Sequence, residues 1–182
     1  DVDGVLADFD GLASALVGVD LRVNRTAFAA MVDYGEDVHR AIGKLLHDPA
    51  FWVNLRSLPG ARHQIGRLKE AGAELRFYSS LPDKYEGLRR WWLWNNLKVA
   101  SSMEEVYLRT PAHAIKGEYI LNDGNVDYYI DDRWDTVATV VAGGIRGVVA
   151  PAPWNHSVPE GLVVATLEEF VNMILGKQDN GR

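Results

Sequence analysis

The sequence predicts an α/β fold built on a parallel sheet, and three observations predict it. Short β-rich runs alternate with helix-patterned stretches from residue 74 onward, at Glu74–Tyr78, Glu105–Leu108, Asp127–Ile130, Ile145–Val149 and Leu162–Ala165. That alternation is the pattern of repeated βα units around a parallel sheet. Polar residues suited to ligands recur in D-x-D at Asp1 and Asp3 and just past two of the runs, at Ser79-Ser80 and Asp131-Asp132. Open parallel sheets bind ligands at the carboxyl ends of their strands. Residues 19–54 carry helical periodicity and no β-rich run, so one helical insertion interrupts the alternation.

Composition sets the outer limits. With 182 residues and 47% apolar content, the chain can bury one core and carry a small inserted cap. No apolar run reaches the eighteen or so residues that a membrane span needs. No signal-peptide pattern precedes the first motif, and the absence of cysteine removes disulfides and thiolate metal sites. These features fit a cytoplasmic protein. The formal charge of −6 disfavours long nucleic acid as a partner, since such binders carry basic surfaces. It leaves a small phosphate ester open, because a local cation decides that contact.

The first ten residues read Asp1-Val2-Asp3-Gly4-Val5-Leu6-Ala7-Asp8-Phe9-Asp10. At the end of a strand, residues i and i+2 point to one side, so Asp1 and Asp3 are expected to aim at one spot. Gly4 permits a sharp turn directly after them. Two carboxylates this close repel unless a cation neutralises them or one keeps its proton. A bare D-x-D is compatible with a solvated turn; otherwise it calls for a hard divalent metal or acid–base chemistry.

Asp10 to Val17 is expected to be a short helix with Asp10 near its start as an acceptor for free N–H groups. Phe28, Met31 and Val32, then Val38, Ile42, Leu45 and Leu46, recur at helical spacing inside the insertion. Ser57-Leu58-Pro59-Gly60 opens the next helix with Ser57 as its cap, Ile65 and Leu68 supply its apolar stripe, and Gly72 ends it. Asp83 to Leu97 is expected to be one helix, carrying Lys84 and the Trp91, Trp92 and Trp94 cluster. Core or subunit packing suits these indoles better than base stacking, which keeps a homodimer open. Trp134–Ala142 and Leu167–Leu175 are the last helices, and Lys177–Arg182 is expected to fray.

The run D-V-D-G-V-L-A-D-F resembles motif I of the haloacid dehalogenase superfamily of phosphohydrolases, and more closely that of the 5′(3′)-deoxyribonucleotidases. I-D-D-R at residues 130–133 resembles the motif IV of the same family, and the L-P-G, helix, strand, Ser-Ser order follows its layout. The resemblance implies a Rossmann-like core over residues 1–13 and 56–182, with a helical cap over 14–55. It also implies that the strand ending in motif I lies upstream of Asp1.

By the same resemblance Asp1 is a nucleophile that forms a phosphoaspartate, and Asp3 is the general acid and then base. Mg²⁺ is the implied cofactor, held by Asp1, the main-chain carbonyl of Asp3 and Asp132, with Asp131 in support. Ser79 and Ser80 are the implied phosphate ligands. Lys116 matches the motif III lysine in order, and Lys84 is the alternative cation near substrate. Phe9 is placed to touch a base or sugar, or else to pack in the core. Cap candidates for the base are Phe28, Tyr34, Phe51 and Trp52. The implied substrate is a small phosphate monoester, a deoxynucleoside monophosphate first. A sugar phosphate, a nucleic-acid 3′-phosphate, or a silent nucleotide-binding module are the alternatives.

Overall fold

The computed structural model describes residues 1–23, 25–111 and 115–178. The described residues form a mixed α/β architecture. In chain order they give α1 (Phe9–Val17), α2 (Ala30–Leu45), α3 (Pro49–Asn54), α4 (Ala61–Glu70), β1 (Phe77–Tyr78), α5 (Glu86–Trp92) and β2 (Leu108–Arg109). They continue with α6 (Lys116–Asp123), β3 (Tyr128–Asp131), α7 (Trp134–Ala142), β4 (Arg146–Val149), β5 (Val163–Val164) and α8 (Leu167–Gln178). Every strand pair is parallel, in two pieces. β1 pairs with β2 through Phe77–Leu108 and Tyr78–Arg109. β3 pairs with β4 from Tyr128–Arg146 to Asp131–Val149, and β4 pairs with β5.

Apart from β3, the strands are shorter than the β-rich runs suggest. Only Phe77 and Tyr78 of the first run pair, and β2 begins at Leu108, the last residue of the expected run. Alternation marks residues that fit a pleated surface, whereas pairing also needs a neighbour in register.

Several helix boundaries differ from the expectation. α1 is capped by Asp8, whose carboxylate accepts from Gly11 N at 2.9 Å, while Asp10 lies in the first turn. α4 begins after Gly60, which has φ 78°, and carries no side-chain cap. Ser57 instead bridges Ala7, with Leu58 N donating to Leu6 O at 2.8 Å. The stretch expected as one helix at 83–97 has three parts: a 3₁₀ turn at Asp83–Tyr85, then α5, then a π turn at Leu93–Leu97. The wider last turn keeps Leu93 and Leu97 both buried. α6 carries Lys116 in its first turn. Lys177 and Gln178 belong to α8; the rest of the segment expected to fray, 179–182, lies outside the described residues.

The insertion packs into the main core. Leu21, Phe51, Trp52 and Leu55 belong to the same buried cluster as Ile65, Trp92 and Val148. The Trp92 indole N–H donates to Leu55 O at 2.7 Å inside that cluster, which accounts for this member of the tryptophan run as core. Burying a large apolar side chain of this kind contributes about 1.5–3 kcal/mol. No helix among the described residues is long and apolar enough to cross a membrane.

Candidate active site

Residues Asp1 to Ala7 form a tight turn against the end of β3. The main-chain nitrogen of Asp1 donates to Ile130 O at 2.8 Å, and the nitrogens of Leu6 and Ala7 both reach Val2 O at 2.9 Å. Gly4 has φ +75°, and a Cβ built there would stand 2.1 Å from Asp132 Oδ2. Glycine is therefore required twice, for its backbone angle and for the close approach of Asp132.

This turn separates the two acids of the D-x-D run, which the strand argument aimed at one spot. Asp1 faces Lys116, whose Nζ lies 2.6 Å from Asp1 Oδ1 and 2.8 Å from Asp131 Oδ2. Asp1, Asp131 and Asp132 each offer a carboxylate oxygen, and these oxygens lie within 4.8 Å of one another. Asp3 turns to other partners. Arg89 Nη2 lies 2.7 and 3.0 Å from its two oxygens, and Ser79 Oγ donates to Oδ2 at 3.1 Å. The surroundings of the Asp3 carboxyl are thus a guanidinium and a hydroxyl.

Asp131 sits at the end of β3 and is fully buried. Its Oδ1 accepts from Arg133 N at 2.8 Å, and its Oδ2 accepts from Lys116 and from the Tyr129 hydroxyl. Burial pushes its carboxyl up, but the opposing effects, led by the Lys116 charge, hold it below the usual range. Asp132 moves the other way. Burial first, and the Asp131 charge second, raise it well above the carboxylate range. Burial and Asp131 likewise raise the Tyr129 hydroxyl, which keeps it a donor. The Asp132 carbonyl is fixed by Trp154 Nε1 at 3.0 Å and Asn155 Nδ2 at 2.7 Å.

A cavity of about 260 Å³ opens over this group. Asp1, Asp3, Ser80, Lys116 and Asp132 form its polar end, and Phe9, Phe28, Trp52 and Trp154 line its apolar end. The Ser80 hydroxyl oxygen is buried and has no partner among the described residues, while Ser79 is fully buried behind it. Phe9 lines the cavity and packs edge-on against Phe51 at 5.2 Å. Lys84 is exposed, with its Nζ 4.8 Å from the Tyr85 ring centre, and is not among the lining residues. Of the four aromatics expected in a cap, Phe28 and Trp52 line the cavity. Tyr34 instead donates to Asp20 O at 3.2 Å, and Phe51 stands behind Phe9.

The cavity also uses residues that the sequence reading passed over. Arg25 pairs with Asp10 at 2.8 Å and lies 4.1 Å from the Trp154 ring centre, joining the insertion to α1 and to the loop after β4. His156 adds a ring-nitrogen contact of 3.0 Å to Arg25 O. An arginine in a polar loop and a tryptophan between prolines carry no periodic signal, so only the fold brings them together. No family model matches the chain, and no curated protein matches it.

Proposed function

We propose that the protein is a Mg²⁺-dependent phosphomonoesterase with a Rossmann-like core of the haloacid dehalogenase type. Its proposed substrates are (deoxy)nucleoside monophosphates, cleaved to nucleoside and phosphate. The observation that carries the reading is the buried group in which Lys116 lies between Asp1 and Asp131, with Asp132 alongside. Burying three carboxylates beside one ammonium is costly as scaffolding, and chemistry on a phosphoryl group gives it a purpose.

The donor set fits a hard divalent cation. All three groups are carboxylates, the ligand type that Mg²⁺ prefers, and Asp132 is a buried acid short of positive charge. Asp1, Asp132 and the Asp3 carbonyl would hold the cation, with Asp131 steadied by Lys116 and Tyr129. When bound, it would neutralise charge developing on the phosphoryl oxygens.

The residues then divide the work. An Asp1 carboxylate oxygen bonds to phosphorus as the ester P–O bond breaks, and Asp3 gives its proton to the departing oxygen. In the second half Asp3 takes a proton from water, the water oxygen bonds to phosphorus, and the bond to Asp1 breaks. The sum is ester plus water to alcohol plus phosphate, with both acids restored. Lys116 and the Ser80 hydroxyl stabilise the phosphoryl oxygens. The aromatic end of the cavity suits a flat, apolar leaving group, which favours a nucleoside over a sugar.

A panel of dUMP, dTMP, dGMP, a 3′-phosphorylated oligonucleotide and a sugar phosphate, each with Mg²⁺, tests the reading. The nucleoside monophosphates should lead in kcat/KM. A lead of about tenfold for the oligonucleotide or the sugar phosphate, roughly 1.4 kcal/mol, would overturn the substrate class and leave the chemistry standing. No turnover of any member would leave a silent binding module.

A further inference from the structure

We infer that Arg89 is a positioning residue: it holds the Asp3 carboxyl apart from Asp1, Asp131 and Asp132, leaving proton transfer as its task. The inference rests on the phosphomonoesterase reading above. Arg89 comes from α5 and is 1% exposed. Its guanidinium carbon lies 4.9 Å from the Trp52 ring centre and 5.7 Å from that of Trp92. Nη2 engages both oxygens of Asp3 at 2.7 and 3.0 Å, while Nε and Nη1 have no partner among the described residues.

Packing alone gives no reason for this residue. A leucine or methionine would fill the space between two indoles without burying a charge or idle N–H groups, each of which is costly away from water. The guanidinium has one evident object, the Asp3 carboxylate. That carboxylate sits two residues from Asp1 and lines the same polar end of the cavity, so the turn alone does not keep it from the three acids that offer oxygens to a cation. Arg89 and Ser79 supply competing partners on the other side. Asp3 remains a cavity-lining residue and Arg89 does not line the cavity, so the arginine acts through Asp3 and touches no substrate.

The test compares two esters in the full chain. A nucleoside 5′-monophosphate leaves as an alkoxide and needs the proton from Asp3, whereas p-nitrophenyl phosphate leaves as a stable phenolate. The rate of leaving-group release in a single turnover with Mg²⁺ is measured for wild type, Arg89→Met and Arg89→Lys. Because a general acid contributes at least about a hundredfold, Arg89→Met should lose about tenfold or more on the nucleotide relative to the aryl ester. Arg89→Lys should restore much of that ratio. Arg89→Gln, which keeps donors between the indoles without the charge, gives the same reading if Arg89→Met does not fold. Equal losses on both esters in a folded variant would mean a structural role and overturn the inference alone. A wild type inert towards both esters would overturn the parent reading, and this inference with it.

Discussion

Lys116 Nζ lies 2.6 Å from Asp1 Oδ1 and 2.8 Å from Asp131 Oδ2, so one buried ammonium serves two carboxylates from distant parts of the chain. Removing it would leave both acids buried without their shared cation. Lys116→Met should lower kcat by about 10²–10³, the usual effect of removing a charge-stabilising donor. It should also reduce stability by about 3–5 kcal/mol, the usual result of breaking a buried pair. Steady-state kinetics and urea melts check both effects. Lys84→Ala should leave kcat within about twofold, since surface substitutions rarely matter.

The raised Asp132 carboxyl predicts how a cation and protons compete. Its folded value stands above the ordinary range, so its proton is held as pH rises and must be displaced by a cation. Stabilisation by Mg²⁺ should therefore grow as pH rises from 6 to 8, because a carboxylate ligand must be deprotonated to bind. Thermal melts with and without millimolar Mg²⁺ at the two pH values measure this. Asp132→Asn should remove most of the Mg²⁺-dependent shift in Tm.

Asp123 offers a test away from the site. It accepts the hydroxyls of Tyr107 and Tyr78, and Arg76 approaches it at 3.7 Å. Burial pushes its carboxyl up, but the two hydroxyls and the Arg76 charge outweigh burial and hold it below the usual range. Stability from this group is complete above the unfolded-chain value of roughly 4 and is lost as pH falls through the lower folded value. Asp123→Asn should cost about 1–3 kcal/mol at neutral pH, and the difference from wild type should shrink towards pH 3.

Arg25 pins the insertion over the cavity. Its side chain is 7% exposed and that of its partner Asp10 is 14% exposed. Burial raises the Asp10 carboxyl and Arg25 opposes that rise. Arg25→Met should destabilise the protein by about 3 kcal/mol by stranding Asp10, and adding Asp10→Leu should recover part of the loss. Chemical melts of the single and double variants decide the point.

These residues also mark how far the sequence could be read. The alternation of strand and helix, the turn at Gly4, and the helices Trp134–Ala142 and Leu167 onward are local patterns, and local patterns survive in one dimension. The gathering of Asp1 with Asp131 and Asp132 was expected if Asp1 ended a strand beside β3, whereas the structure brings Asp1 there on a turn held to Ile130 O. The parting of Asp1 from Asp3 was not legible, since it depends on Arg89 arriving from α5 and on the turn replacing a strand. Arg25 and Trp154 were equally hidden, because their contact is made by two loops whose approach the core decides. Lys116 is buried and Lys84 exposed, a difference that neither lysine's neighbours in sequence announce.

The central claim is that Asp1 is the nucleophile of a phosphate-ester hydrolysis. It is tested most directly by measuring phosphate release from a nucleoside monophosphate with Mg²⁺, for wild type and for Asp1→Asn shown by circular dichroism to be folded. The wild type should turn over, and the variant should fall at least about a thousandfold, because no other group replaces a lost nucleophile. Hydrolysis by folded Asp1→Asn within about tenfold of wild type, a barrier change of only roughly 1.4 kcal/mol, would contradict the account.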